Sequence, residues 1–228
     1  MSTENDKQEK NFIVRKYRPE DRERVRWICS ETGFVGKPQE AIFIGRDEFA
    51  DMWSSYWTDR EPESAFVAEA EGEVRGYLLG CVDTHRQEKI WSKEIMPAAA
   101  KRLLRPRWLK YGINRMYVYA MLRSIIKGEL KVPINRIIAE YPAHLHTNIA
   151  GPEWRGKGLG KAMMEAYFDY LREKGVPGVH LGTTSHNREA IPFYEHMGFK
   201  TLVKKRATMY DHAIDDPPLY LIYMGKKL

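Results

Sequence analysis

Arg155-Gly156-Lys157-Gly158-Leu159-Gly160 puts three glycines and two cations into one short stretch, between an alternating strand-like run over residues 144–149 and an amphipathic helical pattern over residues 159–174. Residues of these types in this order make an anion cradle. Glycine has no Cβ to hold an anion off the backbone, and a helix start presents unpaired N–H groups and the positive end of its dipole. Arg155, Lys157 and Lys161 add positive charge around the same spot. Two nucleotide-binding loops fail here. A P-loop ends in Gly-Lys-Ser/Thr, but Gly160-Lys161 is followed by Ala162, so the magnesium-binding hydroxyl is missing. A dinucleotide turn needs G-x-G-x-x-G with an acid about twenty residues on, and the spacing here is G-x-G-x-G.

The elements that must position this cradle can be read on both sides of it. In 144–149, His144, His146 and Asn148 share one strand face, and Leu145, Thr147 and Ile149 share the other. Over 159–174, Leu159, Ala162, Met163, Ala166, Tyr170 and Leu171 form an apolar stripe, with Gly175 closing the helix. A strand follows around Val179–Leu181. Pro192 removes a backbone donor, so the next helix starts effectively near Ala190 and stops at Met197-Gly198-Phe199. Residues 219–223 read as a final strand. Upstream, residues 12–17 alternate like a strand, Arg18-Pro19-Glu20-Asp21 starts a helix, and Val25, Ile28 and Cys29 keep helical spacing. A second helix fits 46–57, with Phe49, Met52, Trp53 and Tyr56 along one side. Residues 65–68 and 74–82 read as strands joined by the Glu71-Gly72-Glu73 turn.

With 228 residues and 43% hydrophobic content, the chain can bury one substantial core. The expected organisation is a flexible polar tail over 1–10 and one domain over 11–228, with 84–140 as a helical insertion. No apolar run approaches the roughly 18 residues a bilayer span needs, and the start lacks a secretion-signal stretch. Cys29 and Cys81, the two cysteines, sit in apolar surroundings without metal-ligand spacing, so a reduced, cytoplasmic protein is expected. The net charge of +6 is uneven. Between Arg86 and Lys131 stand twelve Lys and Arg residues against three acids, so the excess basicity belongs to that segment. It is too long for a structureless loop, and 95–108 and 114–126 read as amphipathic helices. Three readings of it stay open: a lid that shapes an acceptor site and attracts an anionic substrate, a surface lying on acidic lipid or RNA, or a solvated helical pair serving as a homodimer contact. Nucleic acid is disfavoured, because no reader motif is present.

Arg155-x-x-Gly158-x-Gly160 resembles the acyl-CoA pyrophosphate loop of the GNAT superfamily of N-acetyltransferases. In that family the loop helix is followed by a strand, then by an Asn-led helix that carries a Phe-Tyr pair and ends in Gly-Phe. This chain supplies Val179-His180-Leu181-Gly182-Thr183-Thr184, then Asn187, Ala190, Phe193-Tyr194 and Gly198-Phe199, in that order. The resemblance is specific over 143–200, extends over 12–83 and is absent over 84–140. It implies an α/β GNAT fold: a central, mixed, mostly antiparallel twisted sheet flanked by helices, with a basic helical insertion between strands three and four. It also implies acetyl-CoA as cofactor, no metal, and direct transfer of acetyl to a primary amine on a small molecule or peptide. The alternatives are a longer acyl chain or a hydroxyl acceptor, and, in a different class, a non-catalytic acyl-CoA-binding pseudo-acetyltransferase whose insertion recruits a partner.

The resemblance also assigns roles at the site. Family strands four and five diverge and admit the pantetheine arm like an extra strand. Ile149 and Ala150 occupy the matching place, and one of their N–H groups would polarise the thioester carbonyl and hold the oxyanion. Arg155, Gly156, Lys157, Gly158, Gly160 and Lys161 would surround the pyrophosphate. Phe193 and Asn187 would contact CoA, Asn187 also being suited to cap a helix. Tyr194 matches the family's frequent general acid, with packing against pantetheine as the alternative. Many members use a strand-four carboxylate through water. This strand has none, so His144 and His146 take that place as candidate bases, since an unperturbed imidazole titrates near pH 6.5; each also reads as a structural residue. His-x-His lacks a third ligand at sensible spacing for a metal.

Overall fold

Residues 11–129 and 131–228 are described in the computed structural model, and the tail expected over 1–10 lies outside them. Seven strands form one sheet in the order β1 (Ile13–Lys16), β2 (Ala65–Ala70), β3 (Glu73–Cys81), β4 (Ala143–Ile149), β5 (Gly178–Thr184), β7 (Tyr220–Lys227), β6 (Lys200–Arg206). Every neighbouring pair is antiparallel except β4–β5, which is parallel. The β2–β3 hairpin turns through Glu71 and Gly72, both at positive φ, the hand a two-residue hairpin requires. β6 was not expected: Lys200-Thr201-Leu202-Val203-Lys204-Lys205-Arg206 is dominated by cations, the composition that protects an edge strand from pairing further.

Strand alternation divides the core into two layers. Leu78, Leu145 and Leu181 face α8 (Leu159–Glu173), whose Leu159, Met163, Tyr167 and Leu171 are fully buried. Tyr77, Leu79 and Cys81 face α1 (Arg22–Glu31) and α2 (Arg46–Asp59), packing with Val25, Ile28, Phe49 and Tyr56. Gly80 lets α8 approach: a Cβ there would stand 2.3 Å from the Tyr167 ring. The Tyr167 hydroxyl then donates to the Cys81 carbonyl at 2.9 Å, tying α8 to the sheet centre.

The segment between β3 and β4 is helical throughout much of its length. α3 (Thr84–Ile90) runs through a π-turn, Trp91–Ile95, into α4 (Met96–Leu103). Pro97 accounts for the π-turn, because its ring cannot donate to the carbonyl four residues back and crowds it. The helix expected over 95–108 breaks at Leu103, since Pro106 drives Arg105 to ψ 141° and a short α5 (Pro106–Leu109) restarts after it. α6 (Gly112–Ile126) and α7 (Ile134–Glu140) complete the segment. A completely buried Asn114 clamps α6 to the chain entering α2: its amide oxygen accepts from Ile44 N–H at 2.7 Å, and its NH2 donates to the carbonyls of Ile44 and Trp108 at 2.9 and 3.1 Å. Two bases of the segment also turn onto acids of α2, Arg102 onto Asp51 and Arg107 onto Glu48.

Asn114→Ala would orphan buried backbone groups of Ile44, and each unsatisfied group costs about 1–3 kcal/mol. The expected outcome is a loss of about 2–4 kcal/mol in urea-induced unfolding, with a lowered midpoint. An unchanged midpoint would show that the clamp contributes nothing.

Candidate active site

β4 and β5 pair only at Ala143 with Val179 and His144 with His180, and then part. On its other side β4 keeps its ladder with β3, in which Ala150 N–H donates to the Arg75 carbonyl at 2.7 Å. In an antiparallel ladder the hydrogen-bonded pairs alternate, so the N–H groups of Thr147 and Ile149 point away from β3 into the opening. Either Ile149 or Ala150 was expected to offer a free N–H. The Ala150 donor is already committed, which leaves Ile149.

The cradle follows directly. Gly156 and Gly158 lie at φ 73° and 88°, and a Cβ at either would meet nothing within 4 Å. Backbone hand demands glycine there, and the same absence keeps the mouth clear. Gly158 is the N-cap of α8, whose first helical bond runs from Ala162 N–H to Gly158 C=O at 3.0 Å, leaving the N–H groups of Leu159, Gly160 and Lys161 without intrahelical acceptors. Gly160 serves packing instead, since its Cβ would stand 3.2 Å from Phe193. Arg155 spans the mouth, donating to Gly36 C=O at 3.2 Å and reaching Glu189 at 3.5 Å.

These elements enclose a cleft of about 1080 Å³. Its lining includes His146, Ile149, Arg155, Gly156, Gly158, Gly160, Lys161, Asn187, Phe193 and Tyr194 among the expected residues. His144, Ala150 and Lys157 are not part of the lining. The Lys157 ammonium lies 4.8 Å from the centroid of the Trp154 ring, a cation–π contact. The ring of His144 sits beneath the cleft, 6.0 Å from Trp57 and 5.1 Å from His180. Asn187 caps nothing with its side chain, which reaches Thr183 Oγ1 at 3.5 Å; its carbonyl accepts from Ala190 N–H at 3.1 Å as α9 (Ala190–His196) begins.

Burial sets the protonation states. His146, stacked on Trp57 with 6.4 Å between centroids, is pushed by desolvation down to about 4, so it is neutral at pH 7 rather than titrating near 6.5 as the sequence suggested. His144 is lowered well below its usual value by burial and by the neighbouring His180 and His146. Tyr194 is pushed up to about 12 by burial and keeps its proton. Asn148 links the two sides of the floor, donating to the Tyr77 hydroxyl at 2.7 Å with its amide nitrogen 3.3 Å from His146 Nε2. Among the described residues no group of three or more His, Cys, Asp or Glu is placed to hold a metal ion, and no helix is long and apolar enough to cross a membrane.

Sequence reasoning missed the second wall: Cys29, Val35, Phe49, Trp53 and Tyr210. Phe49 and Trp53 were read as a core stripe of α2, and their i, i+4 aromatic pairing was the available signal. Tyr210 arrives from the connection between β6 and β7, with no local signature.

The family model described as "Acetyltransferase (GNAT) family" matches residues 24–199. The crystal structure of SsHAT is 30% identical, superposes with a TM-score of 0.69, and the match covers 95% of this chain and 98% of that one. A phosphinothricin acetyltransferase from Sinorhizobium meliloti in complex with AcCoA shares the fold at 17% identity and a TM-score of 0.55, over 96% of this chain and 89% of that one. Mycothiol acetyltransferase of Nocardiopsis dassonvillei is 40% identical over 67 residues, 29% of this chain but only 20% of that protein.

Because His144, His146 and His180 are all depressed mainly by burial, the unfolded chain takes up protons at these sites near pH 6.5 while the folded chain refuses them. Their stabilising contribution is complete above about pH 6.5 and is lost as pH falls toward the folded value, about 4 for His146. Urea midpoints should therefore drop from pH 7 to pH 5, and His146→Gln should flatten that drop. An identical pH dependence in wild type and variant would contradict the assignment.

Proposed function

Since this chain belongs to the GNAT family of acetyltransferases, we propose that it transfers an acetyl group directly from acetyl-CoA to a primary amine. The observation that carries this reading is the coincidence of two fittings in one cleft: a parted sheet edge with free N–H groups, and a left-handed glycine turn opening a helix. An extended amide-bearing arm suits the first, and a diphosphate suits the second. When bound, acetyl-CoA supplies an activated thioester.

The chain's own groups divide the remaining work. The N–H groups opening α8, with Arg155 and Lys161, hold the diphosphate. Ile149 N–H meets the acetyl carbonyl oxygen, a preorganised donor of the kind whose removal costs about 3 kcal/mol elsewhere. Tyr194, still protonated at neutral pH, donates a hydrogen bond to the sulfur as charge collects there. His146, neutral and facing the cleft, is too weak a base to strip an ammonium. It suits a later proton: nitrogen becomes strongly acidic as it turns into an amide, and a group of pKa about 4 can then accept. His144 has no contact with the cleft in this scheme. The non-catalytic alternative is not favoured for a member of a family of acetyltransferases.

Gly158→Val should weaken acetyl-CoA binding at least tenfold by calorimetry and also lower the thermal midpoint, since a β-branched residue is strained at φ 88°. Tyr194→Phe should lower kcat by about 10²-fold, the lower range for a positioned acid, without changing the acetyl-CoA Kd. Unaltered affinity in the first variant would remove the cradle, and unaltered turnover in the second would reduce Tyr194 to packing. Amine-dependent release of free thiol from acetyl-CoA tests the reaction itself.

A further inference from the structure

The cleft is electrically divided. Its ionised lining residues, Arg155, Lys161, Arg188 and Glu189, stand at the cradle end, where Arg155 faces Glu189. The rest of the cleft is walled by Cys29, Val35, Phe49, Trp53, His146 and Tyr210; none carries charge at neutral pH, and Val35 borders the charged end, since Gly36 beside it accepts from Arg155 at 3.2 Å. Burial pushes the Cys29 thiol up to about 12 and holds His146 near 4.

The acids nearest this wall are spent elsewhere. Glu48 accepts from Arg107 at 2.9 Å and Trp108 at 3.1 Å, Asp51 is held by Arg26 and Arg102, and Glu31 by Arg46. The wall is also closely packed. Phe49 and Trp53 pack at 6.3 Å between centroids and Trp53 and Trp91 at 6.2 Å, while the Phe49 ring lies so close on Gly33 that a Cβ there would be 2.5 Å away. Val35 sits at φ 52°, a hand β-branched residues rarely take. An apolar side chain is held in the wall where Gly or Asn would be the unstrained choice.

Resting on the N-acetyl transfer proposed above, we infer that this wall takes a primary amine borne on an uncharged alkyl or aryl stem, and selects against acceptors carrying a second cation or an anion. Aromatic faces bury such a stem and tolerate one ammonium over their rings on approach. A second ammonium would lose its hydration with no carboxylate to meet it, and an anion beside Phe49, Trp53 and His146 would meet no cation of the lining. None of the bases between Arg86 and Lys131 lines the cleft, and Arg102 and Arg107 turn onto α2 instead, so the basic segment supplies no partner for an anionic acceptor there.

The test compares kcat/KM, read from thiol release by the full chain with acetyl-CoA, for n-pentylamine and phenethylamine against cadaverine, spermidine and 2-aminoethyl phosphate. The uncharged stems should lead by at least tenfold. Trp53→Glu, at a half-buried wall position on α2, should shift the cadaverine to pentylamine ratio at least tenfold toward cadaverine while leaving the acetyl-CoA Kd unchanged; Trp53→Phe should keep the wild-type order. Quenching of tryptophan fluorescence by each amine on the CoA-bound protein reports binding apart from turnover. Preference for uncharged stems in quenching without thiol release would uphold the acceptor class and overturn the transfer reading. Thiol release led by cadaverine, spermidine or the phosphate would overturn the class and uphold transfer, and a Trp53→Glu ratio equal to wild type would equally overturn it.

Discussion

The fork between β4 and β5 is the constraint on which the rest of the structure depends. Two pairs join these strands, and beyond them each strand is held by its outer neighbour, β4 by a ladder with β3 and β5 by one with β7 running from Gly178–Lys227 to Thr184–Leu221. Sheet twist therefore accumulates between two well-paired halves and opens the seam joining them. A parted seam exposes backbone donors inside a protein, which is costly unless water or a ligand meets them. At its apex lie His144 and His180, 5.1 Å apart and both kept uncharged mainly by burial. Two imidazolium groups at that separation would force the seam wider, so neutrality at the apex and the geometry of the opening are the same requirement.

A fork alone makes a slot, and the second wall makes it a selective cleft. Cys29, Phe49 and Trp53 of that wall belong to α1 and α2, and the segment between β3 and β4 packs against α2 from outside. The ion pairs Arg102–Asp51 and Arg107–Glu48 are partly exposed, and such pairs contribute about 0.2–1 kcal/mol each. The completely buried Asn114 makes three hydrogen bonds to backbone groups of Ile44 and Trp108, so it ties α6 to the chain entering α2. α6 in turn packs Tyr117 on Phe43, 5.8 Å between centroids, within the same core that receives Phe49 and Tyr210. Arg102 and Arg107, two of the segment's twelve bases, thus answer the acids on α2 that it covers.

How far the sequence was legible follows from this division. The cradle, α8, the Ala190 start of α9 and β1 to β5 were readable because each is decided locally, by glycine hand, by proline, or by period. The offer of Ala150 as a donor failed because ladder alternation decides which amides face the seam, and that phase is set by pairing with β3. His144 and His146 looked equivalent in sequence. They differ because the strands are still joined at His144 and already parted at His146. β6 was hidden by Lys200, Lys204, Lys205 and Arg206, since an edge strand with cations on it loses the alternation that announces a strand. The wall residues Cys29, Trp53 and Tyr210 come from distant parts of the chain, and only folding brings them together.

The uncharged wall bears on the proton problem in the proposed reaction. An amine must arrive without its proton, yet β4 offers no carboxylate, and its one imidazole in the cleft has a pKa of about 4. Desolvation supplies what these groups do not. An ammonium entering a lining with no counter-charge loses hydration, and its pKa falls just as that of His146 has fallen beside it. Each unit of that fall is worth about 1.4 kcal/mol toward the free base. A carboxylate in the wall would reverse the effect, stabilising the ammonium and holding the nucleophile in its unreactive form. The apolar wall that chooses the acceptor's stem therefore also releases its nitrogen, so selectivity and activation rest on the same missing charges.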